Sequence, residues 1–303
     1  MQPGSTRELG AHELASRIAP GRYRTCVTGG RGLAVFGEAL DTPGLCGQIK
    51  AIASGAFHVC ILYENGTLQC YGSNGCQQCS VPADLRDVAM VATGDQHTCA
   101  VTSAGGLVCF GEDHAGQCKV PADLDAVCFV SAGTFHTCAV TIDRRLVCFG
   151  SNRFGQCEVP EFAQVGTVAA VAAGGKHTCV IENGSKLLKC FGDNTYGQCS
   201  VPDDLGPVLM VSAGLRHTCA VTENQRLVCF GDDCFGQCTP PKGLGAAGAV
   251  AAVQAGAYHT CAVRPDGSVV AFGFNSAGQC NVAMRLRGLR IGHLDGFVTV
   301  DSG

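Results

Sequence analysis

Apolar and polar positions follow one pattern that recurs along the whole chain. VAMVATG (88–94) is an apolar run that stops at glycine, HTCAVT (97–102) is a second short run, and LVCFG (107–111) is a third. Each is five to seven residues long, rich in Val, Phe and Thr, and bounded by Gly or polar residues. That grouping predicts buried β-strands. A Gly- or polar-rich turn separates the second run from the third, so those two predict an antiparallel hairpin. A Gly-Gln-Cys element (116–118) and Val-Pro (120–121) then lead out to the next copy, with proline suited to a strand edge or connector.

Later copies read SAGTFHTCAVTIDRRLVCFGSNRFGQCEVP (131–160) and SAGLRHTCAVTENQRLVCFGDDCFGQCTPP (212–241). The leading glycines fall at Gly21, Gly55, Gly94, Gly133, Gly174, Gly214 and Gly256, with spacings of 34, 39, 39, 41, 40 and 42. That makes seven repeats of about 40 residues, starting near 15, 50, 88, 127, 168, 208 and 250. Three or four short strands cannot bury both of their faces alone, so neighbouring units must stack. Radial stacking closes a ring, and seven is an ordinary number for closure. The expectation is an all-β, seven-bladed β-propeller forming a single domain over 1–303. The ends depart from the pattern. Arg24 stands where the other copies have His, the first Gly-Gln is displaced to Gly47-Gln48, and the segment after Cys280 lacks the Val-Pro exit. Residues 283–303 are expected to form a closing tail. That tail, or the segment before Gly21, is expected to supply a strand that pairs the two termini in one blade.

Composition agrees with a folded chain: 46% hydrophobic and 15% charged residues leave too little solvating charge for disorder. The 42 glycines and 11 prolines show no Gly-X-Y period, which excludes collagen and indicates many tight turns. A formal net charge of -4 without a Lys/Arg cluster gives no nucleic-acid footprint. The first 25 residues lack an apolar signal segment, and no run of 18 apolar residues occurs, so the expected setting is cytoplasmic or nuclear with no membrane contact. Against this stand 22 cysteines, a load more usual in oxidised extracellular proteins.

His97 and Cys99 lie two apart on a predicted strand and so face one side, the arrangement of a Cys-His nucleophile pair. The same pair recurs at His58/Cys60, His136/Cys138, His177/Cys179, His217/Cys219 and His259/Cys261. A catalytic constellation is assembled once, so His58, His97, His136, His177, His217 and His259 read as framework. Each is expected to bond backbone at a blade junction. Cys76 and Cys79 form the one Cys-x-x-Cys, with no second pair at zinc-finger distance. No catalytic residue, metal site or cofactor is therefore expected.

Cys60/Cys70, Cys99/Cys109, Cys138/Cys148 and Cys219/Cys229 are each ten apart, and Cys179/Cys190 eleven. A three- or five-residue hairpin loop sets a ten-residue pair directly opposite, close enough for a disulfide; a two- or four-residue loop does not. In the first and last units Cys26 faces Val35 and Cys261 faces Ala271. A required bridge would have lost both partners together, so reduced, buried thiols are favoured over disulfides. Among the cysteines outside the repeat, Cys76 and Cys234 fall in the turn after an aromatic-Gly pair and are expected to be exposed, which makes them the better candidates if any thiol is reactive.

The pattern Gly-x-x-His-x-x-Ala-Val, then Leu-Val-Cys-Phe-Gly, then Gly-Gln, resembles the regulator of chromosome condensation repeat family over about residues 15 to 282. Six His, seven Phe/Tyr-Gly pairs and six Gln-Cys elements recur in phase. The resemblance implies a seven-bladed propeller and three possible roles. Nucleotide exchange on a small GTPase depends on a wedge inserted in one blade, and no spacing here exceeds 42. Ultraviolet sensing needs a tryptophan cluster, and the chain has no Trp. Recruitment of partners, as in the propellers of HECT-type ubiquitin ligases, remains.

The chain is accordingly expected to be a non-enzymatic, monomeric scaffold that binds a protein partner in ubiquitin or signalling pathways. The alternatives are a guanine-nucleotide exchange regulator and an extracellular disulfide-stapled recognition domain. In a repeat scaffold, recognition falls to positions where the copies differ. The residue before the repeated His varies most: Tyr23, Phe57, Gln96, Phe135, Lys176, Arg216 and Tyr258. These seven form the expected partner-binding ring. A second ring of Asp and Asn after Phe-Gly reads as ordinary turn residues.

Overall fold

Each apolar run of the repeat becomes a strand in the computed structural model, which describes residues 8–9, 14–29, 32–45, 47–163, 166–282, 290–291 and 298–299. The strands of the repeats assemble into seven sheets, each built on three consecutive antiparallel strands. Blade 3 is Val88–Thr93, His97–Thr102 and Leu107–Gly111; blade 4 is Val127–Ala132, His136–Thr141 and Leu146–Gly150. The first strands of all seven blades touch one another in a closed circle, so they form the inner wall. The chain is a seven-bladed β-propeller.

The middle strands are buried along nearly their whole length, because their two faces pack against the blades on either side. The core is accordingly divided among the blade interfaces. One cluster joins Ala92, Cys99 and Val101 of blade 3 to Val127, Val130, Ala132 and Ala139 of blade 4. Its members are small or β-branched, which lets the sheets approach closely.

The closest approach lies at the end of each inner strand. A Cβ placed on Gly94 would come within 3.0 Å of the Gly133 carbonyl, and the same holds from Gly133 to Gly174, Gly174 to Gly214, and Gly214 to Gly256. The series runs on from Gly256 to Gly21, from Gly21 to Gly55 and from Gly55 to Gly94, completing the circle. These seven glycines are the leading glycines of the repeat.

The ring does not close through one blade shared by both termini. Blade 1 is Ile18–Pro20, Arg24–Thr28 and Leu33–Gly37, and blade 7 is Ala252–Ala255, His259–Val263 and Val269–Gly273. The segment before Gly21 supplies blade 1's own inner strand. Closure comes from side-to-side contacts: Ala257 N donates to Gly21 O at 3.2 Å, and Gln254 Nε2 to Ala15 O at 3.1 Å. The expected closing tail falls mostly outside the described residues. Of it, Arg290–Ile291 pairs with Glu8–Leu9, and Val298–Thr299 adds a parallel strand to Met210–Val211 in blade 6.

The cysteine register also departs from expectation. In blade 3 a three-residue loop, 103–105, puts Cys99 directly opposite Cys109. In blade 5 the eleven-residue spacing is absorbed by a four-residue loop, 183–186, so Cys179 still faces Cys190. All five cysteine pairs are opposed in register, and Cys60–Cys70 and Cys179–Cys190 are disulfides. The expectation of reduced thiols is corrected at those two hairpins. It holds for Cys26 and Cys261, which face Val35 and Ala271 as buried free thiols.

Gly133→Ala is expected to lower stability by about 2 kcal/mol, since overpacking against a backbone carbonyl cannot be relieved by a rotamer change. Gly75→Ala, at a site with nothing within 4 Å, is expected to be nearly neutral. The shift in urea midpoint checks both.

Candidate functional site

The repeated histidines do not bond backbone; each bonds a threonine of the next blade. His97 Nε2 lies 3.0 Å from Thr137 Oγ1, and His136 Nε2 lies 3.0 Å from Thr178 Oγ1. His58–Thr98, His177–Thr218, His217–Thr260 and His259–Thr25 repeat the contact at 2.8, 2.9, 3.1 and 2.8 Å. The threonine hydroxyl donates its one proton to the carbonyl of the buried Gln, as from Thr137 to Gln117 O at 2.8 Å. It must then accept from histidine, which fixes the Nε2–H tautomer at the five junctions where that donation occurs. The cysteine two residues on reaches the same hydroxyl, as Cys99 Sγ does to Thr137 Oγ1 at 3.6 Å. The His-x-Cys pair is therefore engaged in joining blades. Burial drives the pKa of His58, His177 and His259 down from 6.5 to about 3, so these imidazoles are neutral.

One junction breaks the rule on both sides at once. Blade 1 carries Arg24 in the histidine position, and blade 2 carries Val59 where the threonine belongs. Arg24 instead donates through Nη2 to Glu38 Oε2 at 2.7 Å, in its own blade.

The variable residue before each histidine sits in a loop whose backbone is fixed identically in all seven blades. The N–H after the Phe-Gly or Tyr-Gly pair donates to its carbonyl: Ser151 N to Phe135 O at 2.8 Å, Asp193 N to Lys176 O at 2.9 Å, Asp232 N to Arg216 O at 2.9 Å. The glycine is required there. Gly150 has φ 106°, and a Cβ on it would press on the Phe135 carbonyl at 2.6 Å. The expected ring of Tyr23, Phe57, Gln96, Phe135, Lys176, Arg216 and Tyr258 thus occupies equivalent positions on one face.

Reading the sequence missed the other half of this face. Across each junction from blade 3 to blade 1, the ring residue meets a side chain in the turn of the preceding blade. Lys176 Nζ lies 4.4 Å from the Phe154 ring centroid, and Arg216 Cζ 4.6 Å from that of Tyr196. Tyr258 packs on Phe235 at 5.7 Å, Tyr23 on Phe274 at 6.2 Å, and Phe135 on His114 at 5.3 Å. Gln96 accepts from Cys76 Sγ at 3.2 Å. Arg22, also missed, lies over Tyr23, Phe57 and Tyr258 at 5.4, 5.8 and 5.8 Å. The signal was present: Phe154, Tyr196 and Phe235 each stand immediately before the Gly-Gln element.

The remaining turn residues are framework. Asn152 Oδ1 accepts from Cys157 N at 2.9 Å, and Asn194 Oδ1 from Cys199 N at 2.8 Å. Gln156 Oε1 accepts from Phe154 N at 2.9 Å, which holds the aromatic side chain's backbone in place. The Gln-Cys thiols close the same turn, Cys79 Sγ donating to Ser73 O at 3.3 Å, and burial pushes Cys79 and Cys280 up to about 11. Cys234 is exposed in its turn, and the Asp232 carboxylate beside it raises its pKa. Among the described residues no three His, Cys, Asp or Glu side chains converge as a metal site.

Seven blades built on one pattern, with one variable, backbone-fixed ring, define a repeat scaffold that presents side chains from a rigid rim. The chain belongs to the regulator of chromosome condensation (RCC1) repeat family, whose repeat matches residues 49–78, 88–117, 127–156, 168–198, 211–237 and 250–279. Blade 1, with its Arg24 exception, lies outside the matched stretches. The chain is similar to the WD40 ectodomain of the Arabidopsis thaliana receptor kinase ACR4, with 24% identity and a TM-score of 0.69, covering 88% of this chain and 97% of that one. It is also similar to the Physcomitrella patens receptor kinase CR4 ectodomain, with 22% identity and a TM-score of 0.67, covering 85% and 73%. A third is Prp20p of Saccharomyces cerevisiae, described with its binding to Gsp1p and histones, with 16% identity and a TM-score of 0.66, covering 81% and 77%. At these identities the likeness shows the fold alone. No curated protein sequence matches the chain.

The buried imidazoles set a pH dependence. A histidine that titrates near 6.5 unfolded and about 3 folded binds fewer protons in the folded state between those values. Stability is therefore full above about pH 6.5 and falls as pH drops, by up to about 1.4 kcal/mol per pH unit for each such histidine. Urea midpoints measured at pH 7, 5.5 and 4.5 are expected to fall steadily, before most carboxylates titrate.

Proposed function

We propose that this chain is a non-enzymatic protein-recognition scaffold whose partner docks on the face carrying the variable ring. One observation carries the reading: side chains that differ from blade to blade are mounted on backbone held identically in all seven, while the repeated His, Thr, Cys and Gln are spent on the frame. Aromatic residues and arginine in such a ring are the residue types that dominate interface energetics. Prp20p, of the same fold, is described as binding Gsp1p and histones, which makes protein partners the natural class here.

Affinity capture from the native cell with the wild-type chain is expected to retain a specific protein. The triple variant Phe135→Ala, Arg216→Ala, Tyr258→Ala, still folded by circular dichroism, is expected to lose it at least tenfold. Retention by the variant would place the interface elsewhere. Accelerated release of labelled nucleotide from any member of a small-GTPase panel would favour the exchange-regulator alternative.

The two disulfides favour a second reading of the setting: a disulfide-stapled recognition domain working in an oxidising compartment, in place of the cytoplasm or nucleus. Each bond closes a short hairpin and contributes about 2–3 kcal/mol. Protein purified without reductant from its native source and then denatured is expected to protect Cys60, Cys70, Cys179 and Cys190 from alkylation until reductant is added. Labelling of all four in the denatured protein without reductant would return the cytoplasmic or nuclear setting.

A further inference from the structure

Five hairpins, in blades 2 to 6, set a cysteine of the middle strand directly opposite a cysteine of the outer strand, and those of blades 2 and 5 are bonded. The other three pairs are Cys99/Cys109, Cys138/Cys148 and Cys219/Cys229. Opposed residues of two antiparallel strands alternate between sharing a pair of backbone hydrogen bonds and sharing none, and side chains stand closest where they share none. The hydrogen bond just beyond each Phe-Gly or Tyr-Gly fixes the phase. In blade 2, Ser73 N donates to Phe57 O, so Val59/Tyr71 is a hydrogen-bonded pair and Cys60/Cys70 falls in the close class. Glu112 N to Gln96 O, Ser151 N to Phe135 O and Asp232 N to Arg216 O set the same phase in blades 3, 4 and 6. The three remaining pairs therefore occupy the same close site as the bonded pair of blade 2.

The middle-strand sulfur also holds the same place in both kinds of hairpin. Cys60 and Cys179 lie 3.6 and 3.5 Å from a threonine Oγ1 of the next blade, and Cys99, Cys138 and Cys219 lie 3.6, 3.6 and 3.4 Å from theirs. Bond formation thus asks no reorientation of the middle cysteine. The outer sulfur already meets it: Cys109 Sγ is 2.7 Å from Cys99 Sγ, and Cys148 Sγ is 3.0 Å from Cys138 Sγ. Both separations are inside the ~3.5–4 Å at which non-bonded carbon atoms rest, and sulfur is larger. The third thiol of each blade is engaged elsewhere, since Cys118, Cys157 and Cys238 donate to Glu112 O, Ser151 O and Asp232 O at 3.3, 3.3 and 3.4 Å.

We propose that Cys99–Cys109, Cys138–Cys148 and Cys219–Cys229 are disulfide sites, so that five consecutive blades each take one cross-link between middle and outer strand. The oxidant is a small disulfide donor such as oxidised glutathione. Cys109, Cys148 and Cys229 are half-buried and their partners fully buried, so the donor meets the outer cysteine first. The outer thiolate attacks the donor and expels one glutathione thiolate, leaving a mixed disulfide; the middle thiolate then attacks the outer sulfur and expels the second. The two protons given up by the cysteines go to the two glutathiones, so two thiols are oxidised as one donor disulfide is reduced. Each bond ties down the outer strand two residues before the glycine that leads into the ring-face turn, as Cys109 stands before Gly111.

The test equilibrates the full folded chain with reduced and oxidised glutathione, then denatures, alkylates and digests it, and identifies linked peptides by mass spectrometry. Alkylation is expected to label 12 of the 22 cysteines, with all five middle–outer pairs recovered as linked peptides. Labelling of 18, with links in blades 2 and 5 alone, would overturn the three sites, as would linkage of Cys99, Cys138 or Cys219 to any cysteine other than the one opposite. Cys99→Ser, folded by circular dichroism, is expected to leave Cys109 open to alkylation while blades 4 and 6 keep their links. Cys109 linked to another cysteine of the chain in that variant would show that it pairs elsewhere and overturn its assignment. Five links formed in glutathione, with the same ten cysteines free in protein from the native source, would uphold the sites and return the cytoplasmic or nuclear setting.

Discussion

The close approach of neighbouring inner strands at seven glycines is the constraint on which the rest of the molecule depends. Each glycine leaves no room for a Cβ against the next blade's carbonyl, and the series closes from Gly256 to Gly21. With the strands at that distance, His97 can reach Thr137 across the junction and Thr137 can reach the carbonyl of Gln117. A wider ring would leave imidazoles and hydroxyls buried without partners, at a cost of about 1–3 kcal/mol for each unsatisfied group. The small residues of the inner strands, such as VAAVAA at Val168–Ala173, answer the same demand. Cysteine serves it as well, being a compact side chain that fits between sheets and supplies a weak donor to the threonine.

The number of blades, their strands and the framework character of the histidines were legible in the sequence because each is a matter of period and repetition. The partner of each histidine was not. In the His-Thr dipeptide the two residues serve different junctions: His136 bonds forward to Thr178, while Thr137, its chain neighbour, receives His97 from behind. Adjacency in sequence conceals that separation. A correlated exception was nonetheless written there. Arg24 replaces a histidine and Val59 replaces the threonine it would have met, so donor and acceptor are absent together.

The cysteines show the limits of spacing arguments in another way. A spacing of eleven in blade 5 looked incompatible with the spacing of ten elsewhere, but opposition across a hairpin depends on loop length as well as separation. A loop one residue longer restores the register, and Cys179 faces Cys190. The absence of a second cysteine in blades 1 and 7 described those blades alone. It carried no information about the five hairpins in which both are present.

The candidate site was half legible for a related reason. Variation among copies pointed to the residue before histidine, since a frame residue would repeat. The residues it meets, Phe154, Tyr196 and Phe235, are aromatic in three successive blades, so a search for variation passes over them. Their backbone does belong to it, each N–H being held by the buried glutamine of its own turn at 2.9 Å. Their side chains do not, because the glutamine fixes the main chain and leaves the ring outside. One turn thus holds the frame and presents the surface, and because each ring residue leans on the preceding blade, changing a single side chain remodels contacts on both sides of a junction. Recognition can then diverge blade by blade without disturbing the glycines, histidines and threonines that keep the circle closed.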